Sequence, residues 1–389
     1  MRPAEFFSAR FWTWRRAGAV AIQALVLAGL GALAWGAAAN AIANLARLNI
    51  NTGFDFLARP AGFAIAQHII AYSEASSYFR AFLVALLNTL VLAAVSIAIA
   101  TPLGFLIGIA RRAPNPLVAG FAGGFVETLR NIPLLLHLFF WYFAVLQALP
   151  PPARSLSLLG SVFLNNRGLI LPVPAAGLGS WIALSVLAAA VLAAFALPRR
   201  RAGGADGSPL GWLAKLALSA MLPLAAVAAA LALADWERPA LRGFNFAGGV
   251  VVIPEFVAMA LALSLYSAAY IAEIVRGGLD AVPHGQIEAA RALGLKSAPL
   301  YARIVIPQAL RVIVPPLANE YLRLTRNTTL AAAIAYPDLM LVFAGTVLTQ
   351  TSQAFEVMSM TAATYLAIAV AVAGFMNLYN RRVLSVGRR

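Results

Sequence analysis

Long runs without a charged side chain constrain this chain more than any other feature. Ala17 to Ala46 carries none, nor does Ala81 to Ala110. The same holds for Asn131 to Ala153, Gly168 to Pro198, Leu216 to Ala234, Phe256 to Ala272 and Val357 to Asn380. A helix needs about 20 mostly apolar residues to cross the hydrocarbon of a bilayer. A further stretch, Val312 to Val347, is interrupted by Glu320, Arg323, Arg326 and Asp338, and reads as a span with polar lining. Together these predict an all-α, polytopic transmembrane helical bundle of about eight spans. Composition agrees: 62% of the residues are hydrophobic and 11% charged, against roughly a quarter charged in a soluble domain.

The formal net charge is +15. The arginines sit between apolar runs rather than along one polar face, so the charge does not predict a nucleic-acid partner. Their placement sets orientation. Arg2, Arg10, Arg15 and Arg16 precede the first span; Arg111 and Arg112 follow the second; Arg199, Arg200 and Arg201 follow the fourth. Arg276, Arg291, Lys296, Arg303 and Arg311 follow the sixth, and Arg381, Arg382, Arg388 and Arg389 end the chain. With an even number of spans all these clusters fall on one side, the cytoplasm, with both termini there. Arg47, Arg59, Arg80, Arg154, Arg167, Arg238 and Arg242 fall on the other side. The first apolar run exceeds the usual core of a cleaved signal peptide and reads as an uncleaved span.

There is no cysteine, which excludes disulfides, thiolate metal sites and cysteine nucleophiles. His68, His137 and His284 are far apart and form no zinc motif. The chain contains no GxxxxGK[ST] phosphate cradle, so it cannot hydrolyse ATP by itself. No cofactor is expected.

The stretch after Arg276 is the most informative. Pro283, His284 and Gly285 make a turn, a short helix can run from Gln286 to Leu293, and Gly294 is a natural stop. A second short helix can run from Ala298 to Val305, before Pro307. Glu288-Ala289-Ala290, then Gly294, Ile304, Ile306 and Pro307, resemble the EAA motif of ABC importer permeases, with Ile306 in place of the family's leucine. Asn88-Thr89-Leu90, the Glu127/Arg130/Pro133 segment, Ala269 to Gly278 and Asn319 to Leu330 resemble further segments of the polar amino-acid permeases. The resemblance covers roughly Ala81 to Arg389.

The resemblance implies a type I importer (MetI-like) transmembrane fold in a bacterial inner membrane. It divides the chain into residues 1–80 (tail, first span, periplasmic loop) and 81–389 (permease domain), with 150–255 containing an inserted pair of spans. That insertion is similar to the larger permease of general L-amino acid transporters. It also implies partners: an ATP-binding ABC subunit, a second and related permease, and a periplasmic amino-acid-binding protein, besides membrane lipid. Gly285, Gln286, Glu288, Ala289, Ala290, Gly294, Ile304 and Pro307 would then form the loop that seats against the ATPase. Rival readings are a permease for another small polar solute, such as an opine, and a secondary transporter.

Ionisable groups inside a membrane suggest a site or a pair. Glu320, Arg323 and Asn327 share one helical face. Two readings stand: with Asn88 they line the transport path, or Glu320 and Arg323 form an ion pair near the cytoplasmic interface. Glu127 with Arg130, and Glu273 with Arg276, read as boundary pairs, and His137 as a satisfied bundle residue or a proton relay. Gly104 and Gly108 predict close helix packing, within the chain or between copies.

Overall fold

The computed structural model describes residues 14–47, 53–158, 160–175, 185 and 235–385. Its frame is helical. α1 spans Trp14–Arg47, α2 Tyr78–Ala110 and α3 Pro116–Asn131. α4 covers Leu134–Phe139 and is prolonged by a π-helical stretch, Phe140–Leu146. α5 is Pro254–Asp280 and α6 His284–Ala292; α7, Ser297–Leu300, continues through a π-helical turn, Tyr301–Val305, into α8, Ile306–Asn327. α9 is Leu348–Thr351 and α10 Ala354–Ser385.

Local chemistry sets several of these limits. The Ser77 hydroxyl accepts from Arg80 N at the start of α2, and Asn115 Oδ1 accepts from Leu117 N at 2.9 Å to cap α3. Proline opens α3 and α5, where its missing N–H costs nothing. Pro133 separates α3 from α4, which meet at 102°. The His137 ring tightens that bend, its Nε2 lying 3.1 Å from the Leu129 carbonyl. His137 is thus a satisfied bundle residue.

α2 and α5 run parallel at the centre. A Cβ added at Gly104 would lie 2.6 Å from Ile271 Cβ, and one at Gly108 2.7 Å from the Ala272 carbonyl oxygen. The G-x-x-x-G spacing therefore serves close approach inside the chain. Dimerisation through it is overturned, because that face is already buried against α5.

Among the described residues, four helices are long and apolar enough to cross a membrane: Gly18–Ala37 within α1, Tyr78–Ala110, Pro254–Asp280 and Ala354–Leu378. The bent α3–α4 pair makes a fifth when counted as one span. The interrupted stretch from Val312 does not form one straight helix. α8 ends at Asn327, a 3-10 segment follows over Thr328–Ile334, and Ala335 turns left-handed at φ 59°. A π-helical segment, Met340–Val347, then leads into α9.

The expectation of an all-helical chain needs correction. β1 (Leu156–Leu158), β2 (Val162–Asn165), β3 (Gly168–Leu171) and β8 (Val250–Val252) form an antiparallel sheet in that order. β4 (Val173–Pro174) pairs β5 (Trp236–Glu237), and β6 (Ala240–Arg242) pairs β7 (Asn245–Ala247). The fourth predicted span therefore does not begin at Gly168. An apolar run such as Leu169 to Leu171 is ambiguous by periodicity, and the Asn166–Gly168 turn before it, with Gly168 at φ +119°, folds it back as a strand. The rest of that span, and the fifth, lie outside the described residues save Ser185. The described residues on either side of that stretch meet: β4 pairs β5, and Ala175 N donates to Asp235 O at 2.6 Å.

Two ends of the bundle result. The strands, the 53–77 loop and the start of α10 share one end, where Gly53 N donates to Glu356 and Tyr78 to Gln350. Arg111, Arg112, the end of α5, α6 and α7 share the other.

Candidate functional site

α6 stands on the second end as a short ridge. Val282, Ala290 and Leu300 are buried in the core beneath it, with Ile287, Leu295 and Ile304 packed against them. Gly285, Gln286, Glu288, Ala289, Arg291 and Ala292 are exposed, and Leu293 is 82% exposed. The two alanines of the motif therefore differ in role. Ala290 fixes the helix to the bundle, while Ala289 lies on the open side, where its small side chain lets another surface approach.

The end of α6 is a Schellman stop. Gly294 N donates to Arg291 O at 2.9 Å and Leu295 N to Ala290 O at 3.1 Å. Gly294 holds φ +75°, a conformation that costs other residues about 1–2 kcal/mol. Leu295 and Ala290 supply the apolar contact that accompanies the motif. α7 begins where the second short helix was expected, and the chain stays helical through Pro307, the second residue of α8, with the π-helical turn, in which Ile306 N donates to Tyr301 O, directly before it.

Beside the ridge an ion network ties three helix ends. Glu273 pairs with Arg111 at the C-cap of α2, with Arg276 at 2.5 Å and with Arg130 of α3 at 3.8 Å. Asp280 joins Arg276 at 2.8 Å and Arg112 at 3.1 Å. The Glu273–Arg276 boundary pair is present. Glu127–Arg130 is not: Arg130 turns to Glu273 and to the Tyr270 ring, 5.0 Å from its centroid. A glutamate ringed by three arginines outcompetes an exposed one on the same helix.

The polar candidates of the interior fall into two groups. Asn88 is fully buried, and its Nδ2 donates to Gln67 O at 2.8 Å and Pro337 O at 2.9 Å. It joins the 53–77 loop, α2 and the turn after Ala335. Glu320 and Arg323 form an ion pair at 2.6 Å. They lie opposite the middle of α5: Arg323 Cζ stacks 3.5 Å from the Tyr270 ring centroid and 5.5 Å from that of Tyr266. Glu320 is 5% exposed. Asn327 sits half-buried at the last position of α8.

Other polar residues were given no site role from the sequence. Tyr266 and Tyr270, with hydroxyls 3.2 Å apart, form the platform under Arg323. Their i, i+4 spacing in an otherwise apolar helix was the available signal. Thr89 accepts from Leu339 N at 3.0 Å, Tyr336 donates to Asn88 O at 3.2 Å, and buried Asp338 accepts from Leu341 N at 2.8 Å. These lie far apart in sequence, and only the fold brings them together.

A family model for the inner membrane component of binding-protein-dependent transport systems matches residues 209–385. A putative amino-acid ABC transporter permease protein, YhdX of Escherichia coli K12, is 48% identical over 90% of both chains. The general L-amino acid transport system permease protein AapQ of Rhizobium johnstonii is 43% identical over 94% of this chain and 92% of its own. The glutamate/glutamine/aspartate/asparagine transport system permease protein BztB of Rhodobacter capsulatus is 36% identical over 88% of each. With that breadth of match and a bundle whose second end carries the exposed α6 ridge, the chain belongs to the inner membrane components of binding-protein-dependent transport systems, the multi-pass permease subunits of ABC importers.

Proposed function

We propose that this subunit lines half of the path of an ATP-driven amino-acid importer and takes its power stroke through α6. The carrying observation is the ridge itself: anchored below by Ile287, Ala290 and Leu295, open above at Gln286, Glu288, Ala289 and Leu293, and stopped by Gly294. Such a knob transmits the motion of a separate ATPase to α5 and α8, between which it is strung. ATP binding draws the paired ridges together and opens the bundle outward; hydrolysis reverses the motion. The amino-acid cargo is supported by what the relatives are named for. A related second permease, an ATP-binding subunit, an amino-acid-binding protein and the surrounding lipid complete the assembly.

In this reading Arg323 on its tyrosine platform, with Glu320 and Asn327, faces the path, while Asn88 braces it. The chain crosses the inner membrane eight times with both termini in the cytoplasm: α1, α2, the bent α3–α4, α5, α8 with the pieces up to Thr351, α10, and the inserted pair within 150–255. The meeting of β4 with β5 supports the pair, since a segment that returns to its starting point crosses an even number of times. Residues 1–80 then precede a permease domain of 81–389.

The test is Glu288→Ala. Glu288 is exposed, and no hydrogen bond or ion pair holds it among the described residues, so its loss should leave folding untouched. In proteoliposomes holding the whole importer, uptake and ATPase stimulated by the binding protein should fall about tenfold, equivalent to about 1.4 kcal/mol at the docking surface. Gly294→Ala should act in the same direction by straining the stop. Normal uptake with both variants refutes coupling through α6.

A further inference from the structure

The positive-inside rule penalises arginine on the outer side, yet Arg154, Arg167, Arg238 and Arg242 all converge on the small strand assembly, and all are exposed. Exposed apolar residues accompany them: Leu156 at 56%, Leu158 at 66% and Phe244 at 89%. The register of the sheet decides what this means. Cross-strand partners share a face. Leu156 opposes Leu164 and Leu158 opposes Val162; Leu164 in turn opposes Leu169, which opposes Val252. Leu164 packs against the core cluster of Leu146, Met259 and Leu263 at the outer ends of α4 and α5. This face is therefore turned towards the helices, and Leu156 and Leu158 prolong it past the edge of the bundle. The opposite face is satisfied from within: Ile170 is buried, and Phe163 lies 4.6 Å from Phe246 of the β6–β7 hairpin.

β1 is thus an edge strand whose residues are all exposed, with two leucines overhanging on the side from which the helices descend. An edge left unpaired among the described residues is a pairing liability in water. Beyond the rim of a membrane-spanning bundle, on that side, lies the outer leaflet. We infer that β1 is an interfacial anchor: Leu156 and Leu158 enter the upper acyl region, and Arg154, at the end of the 3-10 turn just before them, binds lipid phosphate. The anchor would hold the sheet, and through β3–β8 the start of α5, at fixed depth while α5 and α8 move. It rests on the outward placement of the sheet proposed above.

The chain has no cysteine, so a single label attached to the purified subunit before assembly with its partners reports from one place. The full importer carrying Leu158→Cys with an NBD fluorophore, in nanodiscs containing lipids spin-labelled near the headgroup, should show blue-shifted emission and loss of fluorescence. Phe244→Cys, on the hairpin, should show neither. Arg154→Gln in the Leu158→Cys background should move the label towards water, read as a red shift and weaker quenching; no change removes the phosphate contact. Equal quenching at 158 and 244, none at either, or protection at 158 appearing only when the binding protein is added overturns the anchor. Nanodiscs are indifferent to sidedness, so failure of the orientation is read separately, by labelling Phe244→Cys in intact spheroplasts with an impermeant maleimide.

Discussion

Gly104→Ala tests the packing on which the bundle is built. The new Cβ would stand 2.6 Å from Ile271 Cβ and Cγ2 and 2.9 Å from the Ala268 carbonyl oxygen. Carbon atoms in contact sit about 3.5–4.0 Å apart, so the helices must part by about 1 Å at this level. Overpacking of this kind costs about 1–3 kcal/mol. The upper part of that range is expected, because one clashing atom is backbone and cannot rotate away, and Ile271 is fully buried. The gain of about 1 kcal/mol in helix propensity on replacing glycine by alanine offsets some of it. Gly108→Ala meets the Ala272 carbonyl oxygen at 2.7 Å and Val275 Cβ at 2.8 Å and should cost a similar amount. The two sites are one turn apart on one interface, so separation forced by the first relieves the second, and the double variant should lose less than the sum. Gly120→Ala on α3 is the control, since its added Cβ meets nothing within 4 Å. Unfolding of the purified subunit in mixed micelles of dodecyl maltoside and sodium dodecyl sulfate, followed by tryptophan fluorescence, provides the free energies. Stability of Gly104→Ala equal to wild type, or unchanged stability with a changed oligomeric state, refutes the intramolecular reading.

The pair Gly277 and Gly278 makes the same point on adjacent residues. Gly278→Ala would place a Cβ 2.3 Å from Ile313 Cγ1 on α8 and should destabilise by about 1–3 kcal/mol, whereas Gly277→Ala meets nothing within 4 Å and should be neutral or stabilising in the same micelle titration. Asn88→Ala would orphan the carbonyls of Gln67 and Pro337, each bonded within 2.9 Å, and should cost about 1–3 kcal/mol. Hydrogen exchange should then rise around residues 335–341 and 65–70; unchanged protection there would show that Asn88 does not hold those segments.

What the sequence disclosed, and what it withheld, follows from the range over which each signal acts. The α6 ridge was legible because its determinants are local. Pro283 opens it, Gly294 closes it, and the helical period alone separates Ala290 from Ala289 once the buried side is known. The long helices were legible for the same reason, through charge-free runs of bilayer length. The sheet was not. Leu169-Ile170-Leu171 is as apolar as any span, and only pairing with Val250 to Val252, some eighty residues away in sequence, makes it a strand. The return after α8 was hidden likewise. Ala335 adopts a left-handed turn that alanine disfavours, and it is held there by long-range partners: Asn88 on Pro337, Thr89 on Leu339 and Tyr336 on Asn88. No local rule writes such a turn.

The ion pairs show the same division in miniature. Glu273 with Arg276 was legible, being one helical turn apart, and it formed. Glu127 with Arg130 has the same spacing and did not, because folding delivers Arg111, Arg130 and Arg276 to a single carboxylate. A spacing of three residues permits a pair, but the electrostatics of the assembled helix ends chooses among those permitted. That choice has a consequence for motion. Glu273 and Asp280 clamp α2 and α3 to the very end of α5 from which α6 projects. In the proposed coupling, a push on the ridge would therefore reach three helices together rather than α5 alone, as moving half of a transport path requires.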